Sequence, residues 1–368
     1  MQALVLVGGE GTRLRPLTLT QPKPAVTLVD RPLIRFMVDW LGRHGIDEVV
    51  MACGFRAEDL RAALGDGVPG GPTIRYVQEE APLGTAGPLR LAADKGLLGE
   101  RFMVLNGDVL ADLDLTALRR QHDETGATIT LALHPVDDPS SYGLVRRDPG
   151  GAVLGFLEKP DPDQIDTDEI SAGAYVVERS ALELIPPGRA MSIEREVFPR
   201  LVGNGLYGRR LDGYWIDIGT PERYLQASWD ILEGSVETEV ERSADGLAVA
   251  DSAEVNRVAT ISPPALLDAG VSVAPGAEVG PRAVVRGGSA IAAEASVAES
   301  VLLDGCRVEA GARVRGAILA AGVEVGAGAT IEPGAVLGRG ARVSPGALVA
   351  ADARVQPDEV VETEAAPA

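Results

Sequence analysis

The densest chemistry in the sequence lies in Gly8-Gly9-Glu10-Gly11-Thr12-Arg13, continued by Lys23 between Pro22 and Pro24. Glycines at this spacing let backbone N–H groups approach a base or phosphate oxygens closely, and Arg13 and Lys23 supply positive charge for a triphosphate. Another lysine, Lys159, stands between Glu158 and Pro160. Only three of the 34 Lys and Arg residues are lysines (Lys23, Lys95 and Lys159), so arginine serves almost everywhere else. A compact ammonium fits between phosphate oxygens where a planar guanidinium fork does not, which gives the two proline-flanked lysines a chemical reason to persist. Asp108 and Asp217 supply carboxylates. Taken singly, either reads as a loop cap or turn residue; as a pair with triphosphate oxygens they suit Mg²⁺, which takes few protein ligands and keeps its waters. Asp112 and Asp114 read instead as turn and helix-start residues. No nucleophile and base pair accompanies this set: the three histidines (His44, His122, His134) and two cysteines (Cys53, Cys306) show no catalytic or zinc spacing.

Such groups need a scaffold, and residues 1–232 predict one. Apolar runs at residues 3–7, 49–53, 73–77 and 102–105 alternate with segments of helical spacing, the pattern of a mostly parallel sheet covered on both faces. Strand-like pieces at 128–133, 142–147, 153–157 and 172–177 then follow in closer succession and predict a mixed extension. Residues 221–232 read as a closing helix. The glycine-rich loop follows the first strand, and Asp108 and Asp217 follow later ones, where strand C-termini open onto the ligand crevice of a doubly wound sheet.

Residues 233–262 turn acidic, with seven acidic and two basic residues, and read as a linker. Over 263–357 aliphatic residues recur every six positions from Leu267, Val273 and Val279 to Leu303 and again from Val325 to Val349 and Val355, with Val308, Val314 and Leu319 keeping the trend in a shifted register and with Gly and Ala filling the places between. This predicts a left-handed parallel β-helix of about five coils. Residues 358–368 read as an acidic tail. The chain's 368 residues carry a net charge of −20, which argues against a non-specific nucleic-acid binder. No apolar run approaches membrane-span length and no signal-like segment opens the chain, so the sequence reads as a cytoplasmic protein of a reducing compartment.

Taken together, these motifs resemble the sugar-1-phosphate nucleotidyltransferases, whose signature GGxGTRLxPLTxxxPKP is matched at residues 8–24. The segment at 76–89, with Gln78-Glu79-Glu80-Ala81-Pro82-Leu83-Gly84-Thr85, is similar to the base-recognition segment of the GDP-mannose pyrophosphorylase branch. Asn106-Gly107-Asp108, Gly155-Phe156-Leu157-Glu158-Lys159-Pro160, Ser192-Ile193-Glu194 and Trp215-Ile216-Asp217 match further family motifs. The resemblance implies a Rossmann-like, GT-A-like mixed α/β domain followed by the β-helix. It implies nucleotide contacts at Leu6, Gly8, Gly9, Gly11, Thr12, Arg13, Lys23, Gln78, Gly84, Thr85 and Asp108. Sugar-phosphate contacts fall at Gly143, Glu158, Lys159, Ser171 and Gly173, and Mg²⁺ on Asp108 and Asp217. Ser171-Ala172-Gly173 departs from the family's usual Asn-Ala-Gly, which puts sugar identity in question.

The implied reaction joins a sugar 1-phosphate to a nucleoside triphosphate, with GTP and mannose 1-phosphate favoured, and needs no general base because the attacking phosphate oxygen is already anionic. Arg13, Lys23, Asp108, Lys159 and Asp217 carry the catalysis in this reading. Sister thymidylyl-, uridylyl-, cytidylyl- or adenylyltransferases and a non-catalytic NDP-sugar-binding regulator compete with it. A histidine-dependent acyltransferase is disfavoured because all three histidines lie in the N-terminal half. The β-helix is expected to assemble the chain into a homo-oligomer.

Overall fold

The computed structural model describes residues 1–54, 56–67 and 70–363. The chain folds as two compact units that do not follow its linear order. One comprises Met1–Gly9 and Ile34–Trp215, the other Glu10–Leu33 and Ile216–Ala368.

The first unit is built on β1 (Gln2–Leu6), α1 (Leu33–Arg43), β2 (Glu48–Cys53), β3 (Thr73–Gln78), α2 (Gly87–Asp94), β4 (Arg101–Asn106), α3 (Leu115–Thr125), β5 (Ile129–Pro135), β6 (Gly143–Arg147), β7 (Val153–Glu158), β8 (Glu169–Glu178) and β9 (Leu206–Arg210). Their sheet runs β7-β6-β8-β4-β1-β2-β3, with β5 pairing β8 and β9 pairing β5. Strands β1 to β4 are mutually parallel where they meet, whereas β8 runs antiparallel to β4 and β5. The parallel strands are continuous apolar runs because both faces are covered: Ala3, Leu4, Val5, Val104 and Leu105 have no exposed surface. Asp114 is the helix-start residue expected, its Oδ1 accepting from Ala117 N at 2.9 Å, and Gly126 ends α3 in the left-handed conformation. In β8 the pairing jumps from Ser171↔Leu133 to Tyr175↔Leu131, so Ala172, Gly173 and Ala174 form a bulge. Beneath it Phe198 packs edge-on against Tyr175 and Phe156, with ring centroids 5.2 and 5.1 Å apart.

The second unit is dominated by the parallel β-helix. Among the described residues its three sheets hold seven, seven and six strands. Leu247 pairs with Ala265 and Ala265 with Ala283, a coil of 18 residues. Inward aliphatic stacks such as Leu267, Val285, Leu302, Leu319, Leu337 and Val355 fill the interior. Three expectations are corrected. The coils begin within the expected linker, at Leu247, because Val249, Val255 and Ile261 already keep the six-residue step and pair with Leu267, Val273 and Val279. They also continue into the expected tail, where Val360–Val361 pairs with Arg342–Val343; residues 364–368 lie outside the described residues. Leu302 rather than Leu303 occupies the interior stack.

Also in this unit is α4 (Pro221–Glu233), which begins on the Thr220 cap and ends at Gly234. Glu233 pairs with Arg282 at 2.6 Å, the Arg282 guanidinium lies 5.3 Å from the Trp229 ring centroid, and Glu222 pairs with Arg354 at 3.8 Å. The helix therefore lies along one face of the β-helix, and the expectation that assigned it to the sheet domain is corrected: it belongs to the second unit. Of the acidic linker, residues 234–246 remain as a strap, in which Val236 and Val240 are buried and Arg242 donates to Ile231 O.

Candidate active site

Within the first unit, strand ends and one clamped loop carry part of the expected set. Leu6 ends β1 and leads into Gly8 and Gly9, while Gly107 N donates back to Leu6 O at 2.9 Å, which sets Asp108 in the turn after β4. Glu79 follows Gln78 at the end of β3. Its carboxylate accepts from Leu83 N at 2.8 Å, and burial, partly offset by that bond, raises its pKa above the ordinary carboxyl range.

Gly84 and Thr85 are held by a segment that sequence reasoning matched without assigning it a role. Gly84 has φ +71°, and a Cβ there would lie 2.5 Å from Met191 O, so only glycine fits the approach. Thr85 Oγ1 donates to Glu194 Oε2 at 2.6 Å and accepts from Ile193 N at 2.9 Å. Glu194 Oε2 also accepts from Ser192 Oγ at 2.7 Å. The segment can do this because Ile193–Val197 forms one wide turn, Phe198 N–H donating to Ile193 O five residues back. No local pattern pointed to this hold, because Thr85 and Glu194 lie 109 positions apart.

The residues expected to contact the sugar phosphate lie in the same unit. Gly143 opens β6 directly opposite Glu158 on β7. Lys159 follows with φ 53°, its N–H donating to Tyr142 O at 2.9 Å, and its side chain is exposed. Burial first, then the neighbouring Glu194, raises the Glu158 pKa, against the opposing charges of Lys159 and Arg195. Ser171 is the last regular pair before the β8 bulge and Gly173 stands inside it. The bulge turns Ala172 O toward Trp215, whose Nε1 donates to it at 2.9 Å, and Trp215 meets Tyr142 edge-on at 5.4 Å.

The second unit contains the cations expected to meet a triphosphate, Arg13 and Lys23, and one of the two expected carboxylates, Asp217. Gly11 precedes the turn Thr12–Leu14, and Thr18 Oγ1 donates to Gly11 O at 2.9 Å. Lys23 is 8 % exposed. Arg13 is exposed at its turn but reaches Gly219: a Cβ built there would lie 2.9 Å from Arg13 Nη2 and 3.0 Å from Asp217 Oδ2. Asp217 also pairs with Arg223. This unit therefore brings Arg13, Asp217 and Arg223 around the bare edge of Gly219. Of the five residues expected to carry catalysis, Asp108 and Lys159 belong to the first unit and Arg13, Lys23 and Asp217 to the second.

Carboxylate oxygens are the donor chemistry a hard divalent cation takes. Such a cation needs only one or two of them when phosphate oxygens complete its shell. Among the described residues no group of three or more His, Cys, Asp or Glu gathers. Asp108 and Asp217 fit this donor set.

Residues 2–234 match the family described as Nucleotidyl transferase, and residues 261–367 match the GMPPB C-terminal domain. The chain belongs to the nucleotidyl transferase family. This nucleotidyl transferase is 40 % identical over 314 residues to a mannose-1-phosphate guanylyltransferase of Mycobacterium tuberculosis, covering 84 % of this chain and 82 % of the relative. It is 35 % identical over 337 residues to mannose-1-phosphate guanylyltransferase 1 of Arabidopsis thaliana, covering 90 % and 89 %. Among solved structures it resembles HddC from Yersinia pseudotuberculosis complexed with GMP-PN, at 27 % identity and TM-score 0.54, over 62 % of this chain and 99 % of that one. Members of the family generally use a divalent metal, in line with the carboxylate donors of the nucleotidyl transferase described above. Among the described residues no helix is long and apolar enough to cross a membrane.

Proposed function

We propose that this nucleotidyl transferase moves a guanylyl group from GTP to mannose 1-phosphate, giving GDP-mannose and pyrophosphate. The observation that carries this reading is similarity running through both domains to proteins named for that activity. The loop around Gly84 and Thr85 supports it, because a backbone locked by Met191 and Glu194 is a suitable rigid edge for reading a base.

In this reading Lys159 orients the sugar phosphate so that one of its oxygens lies in line with the α-phosphorus of GTP. The new oxygen–phosphorus bond forms as the bond from the α-phosphorus to its bridging oxygen breaks, and pyrophosphate leaves with that oxygen and its electron pair. Arg13 and Lys23 neutralise the departing pyrophosphate, and Glu158 accepts from the sugar hydroxyls. Mg²⁺, held by Asp108 and Asp217, supplies charge neutralisation on the phosphates when bound. No proton needs to be removed, so the missing general base is no defect. Cys53 and Cys306 are free and buried, and burial pushes both thiols up to about 12, which suits a reducing compartment such as the cytoplasm. The β-helix is the surface on which we place self-association, a reading that sedimentation of the full chain tests.

The deciding experiment measures pyrophosphate release with Mg²⁺ for GTP, ATP, UTP, CTP and dTTP against mannose 1-phosphate and glucose 1-phosphate. Release concentrated on GTP with mannose 1-phosphate is expected. Another productive pair refutes the specificity, and silence from folded protein that still binds an NDP-sugar refutes catalysis.

A further inference from the structure

The β-helix has more to do than assemble copies. Its face carrying Val284, Val301, Ile318 and Val336 presents apolar residues with no exposed surface, adjacent in register to the inward stack of Val285, Leu302, Leu319 and Leu337. Helix α4 is fastened along that face at both ends. Near its C-terminus Glu233 pairs with Arg282, whose guanidinium also covers Trp229. Near its N-terminus Glu222 pairs with Arg354, on the strand that continues the register Val284, Val301, Ile318, Val336. The lengths agree: four ladder steps from Val284 to Arg354 span about 19 Å, and the helix from Glu222 to Glu233 spans about 17 Å.

What the helix holds at its N-terminal end is the group proposed to bind the triphosphate. Asp217, Ile218 and Gly219 run directly into the Thr220 cap, and Arg223 in the first turn pairs with Asp217. Arg13 lies against Gly219. One turn further, Tyr224, 1 % exposed, donates its hydroxyl to Thr27 O at 2.5 Å, anchoring the segment that follows Lys23. Arg31 in turn reaches Glu239 O at 3.3 Å in the strap.

We infer that the β-helix is the template on which α4 is laid so that Arg13, Lys23 and Asp217 stand in register, with Arg282, Glu233 and Tyr224 as positioning residues for the triphosphate-binding group. This rests on the roles given to Arg13, Lys23 and Asp217 under the proposed function. The β-helix is then required for nucleotide affinity within a single chain, independently of any assembly.

The test uses the full chain and compares wild type with Arg282→Glu, Glu233→Arg and the double swap, beside Lys23→Gln and Tyr224→Phe. Arg282→Glu is expected to raise the KM for GTP and the Kd for a non-hydrolysable GTP analogue by about three- to tenfold while leaving the KM for mannose 1-phosphate unchanged. It is also expected to speed hydrogen exchange of the amides at 218–224, and the double swap is expected to restore part of each loss. Tyr224→Phe is expected to reproduce the nucleotide effect without touching the β-helix. An Arg282→Glu protein with wild-type nucleotide affinity and exchange, or one whose two KM values rise together without rescue by the swap, overturns the inference. If Lys23→Gln binds the nucleotide analogue normally, the underlying assignment fails instead, so the two failures are told apart.

Discussion

Gly219→Ala offers a sharp probe of how closely the group proposed to bind the triphosphate is set. The new methyl carbon would stand 2.9 Å from Arg13 Nη2 and 3.0 Å from Asp217 Oδ2. Ordinary contact between such atoms is about 3.5 Å or more, so each group must retreat by roughly 0.5 Å. Both are ends of side chains that can move, and Gly219 does not use a left-handed backbone, so the loss of stability is expected to be small. Catalysis is less forgiving, because a 1 Å misplacement can cost on the order of 10²-fold. Two groups displaced by about half of that give an expected fall of roughly ten- to a hundredfold in kcat/KM, equivalent to about 1.4–2.7 kcal/mol of transition-state stabilisation. The assay is steady-state pyrophosphate release, with thermal unfolding alongside and Gly99→Ala as a control, since a Cβ at Gly99 meets only Gln2 Oε1 at 3.4 Å. A Gly219→Ala enzyme within about threefold of wild type refutes the reasoning.

Other substitutions probe the remaining parts. Asp108→Asn is expected to abolish turnover with an unchanged melting curve; near-normal turnover would overturn the metal-holding role proposed for Asp108. Thr85→Val leaves Ile193 N–H without its acceptor and Glu194 without one donor, a loss of about 1–3 kcal/mol in the loop clamp, and should raise the KM for nucleotide more than that for sugar phosphate. Phe198→Ala empties a site with no exposed surface between Phe156 and Tyr175 and is expected to destabilise the fold by about 3–5 kcal/mol in denaturant titration. Glu158 has a folded pKa raised by burial and by Glu194, so its contribution to stability is present below the ordinary carboxyl pKa and is lost as pH rises through the raised value. Glu158→Gln should therefore gain in melting temperature relative to wild type across that window, and parallel curves would contradict the assigned shift.

The sequence showed most clearly what depends on local pattern. Apolar runs marked the parallel strands because both their faces are covered, and Asp114 announced a helix because its side chain caps the helix itself. Partnership across the chain was harder to see. The stripe on residues 221–232 shows an amphipathic helix but not which surface receives it, and the anchoring Arg282 and Arg354 look like ordinary exposed charges in the hexad region. The first coil was hidden by Asp251, Glu254 and Arg257, which give residues 247–261 a linker's composition while Val249, Val255 and Ile261 keep the coil's spacing. At the candidate site, the motifs named the cations and carboxylates, whereas the hold of Glu194 on Thr85 joins residues 109 positions apart and has no local signature.

Two coils of the β-helix are one residue shorter than their neighbours. Val284 pairs with Val301 and Val301 with Ile318, steps of 17 residues, and in both cases the missing residue falls at the same corner, between Val297 and Leu302 and between Val314 and Leu319. The ladders above and below stay in register, so this corner is where the domain can absorb a deletion without disturbing a face. Changes of length in the lineage of such a chain are then filtered by geometry rather than by composition. A lost residue at this vertex leaves every aliphatic stack intact, whereas the same loss within a face would turn the side chains beyond it from the interior to the solvent.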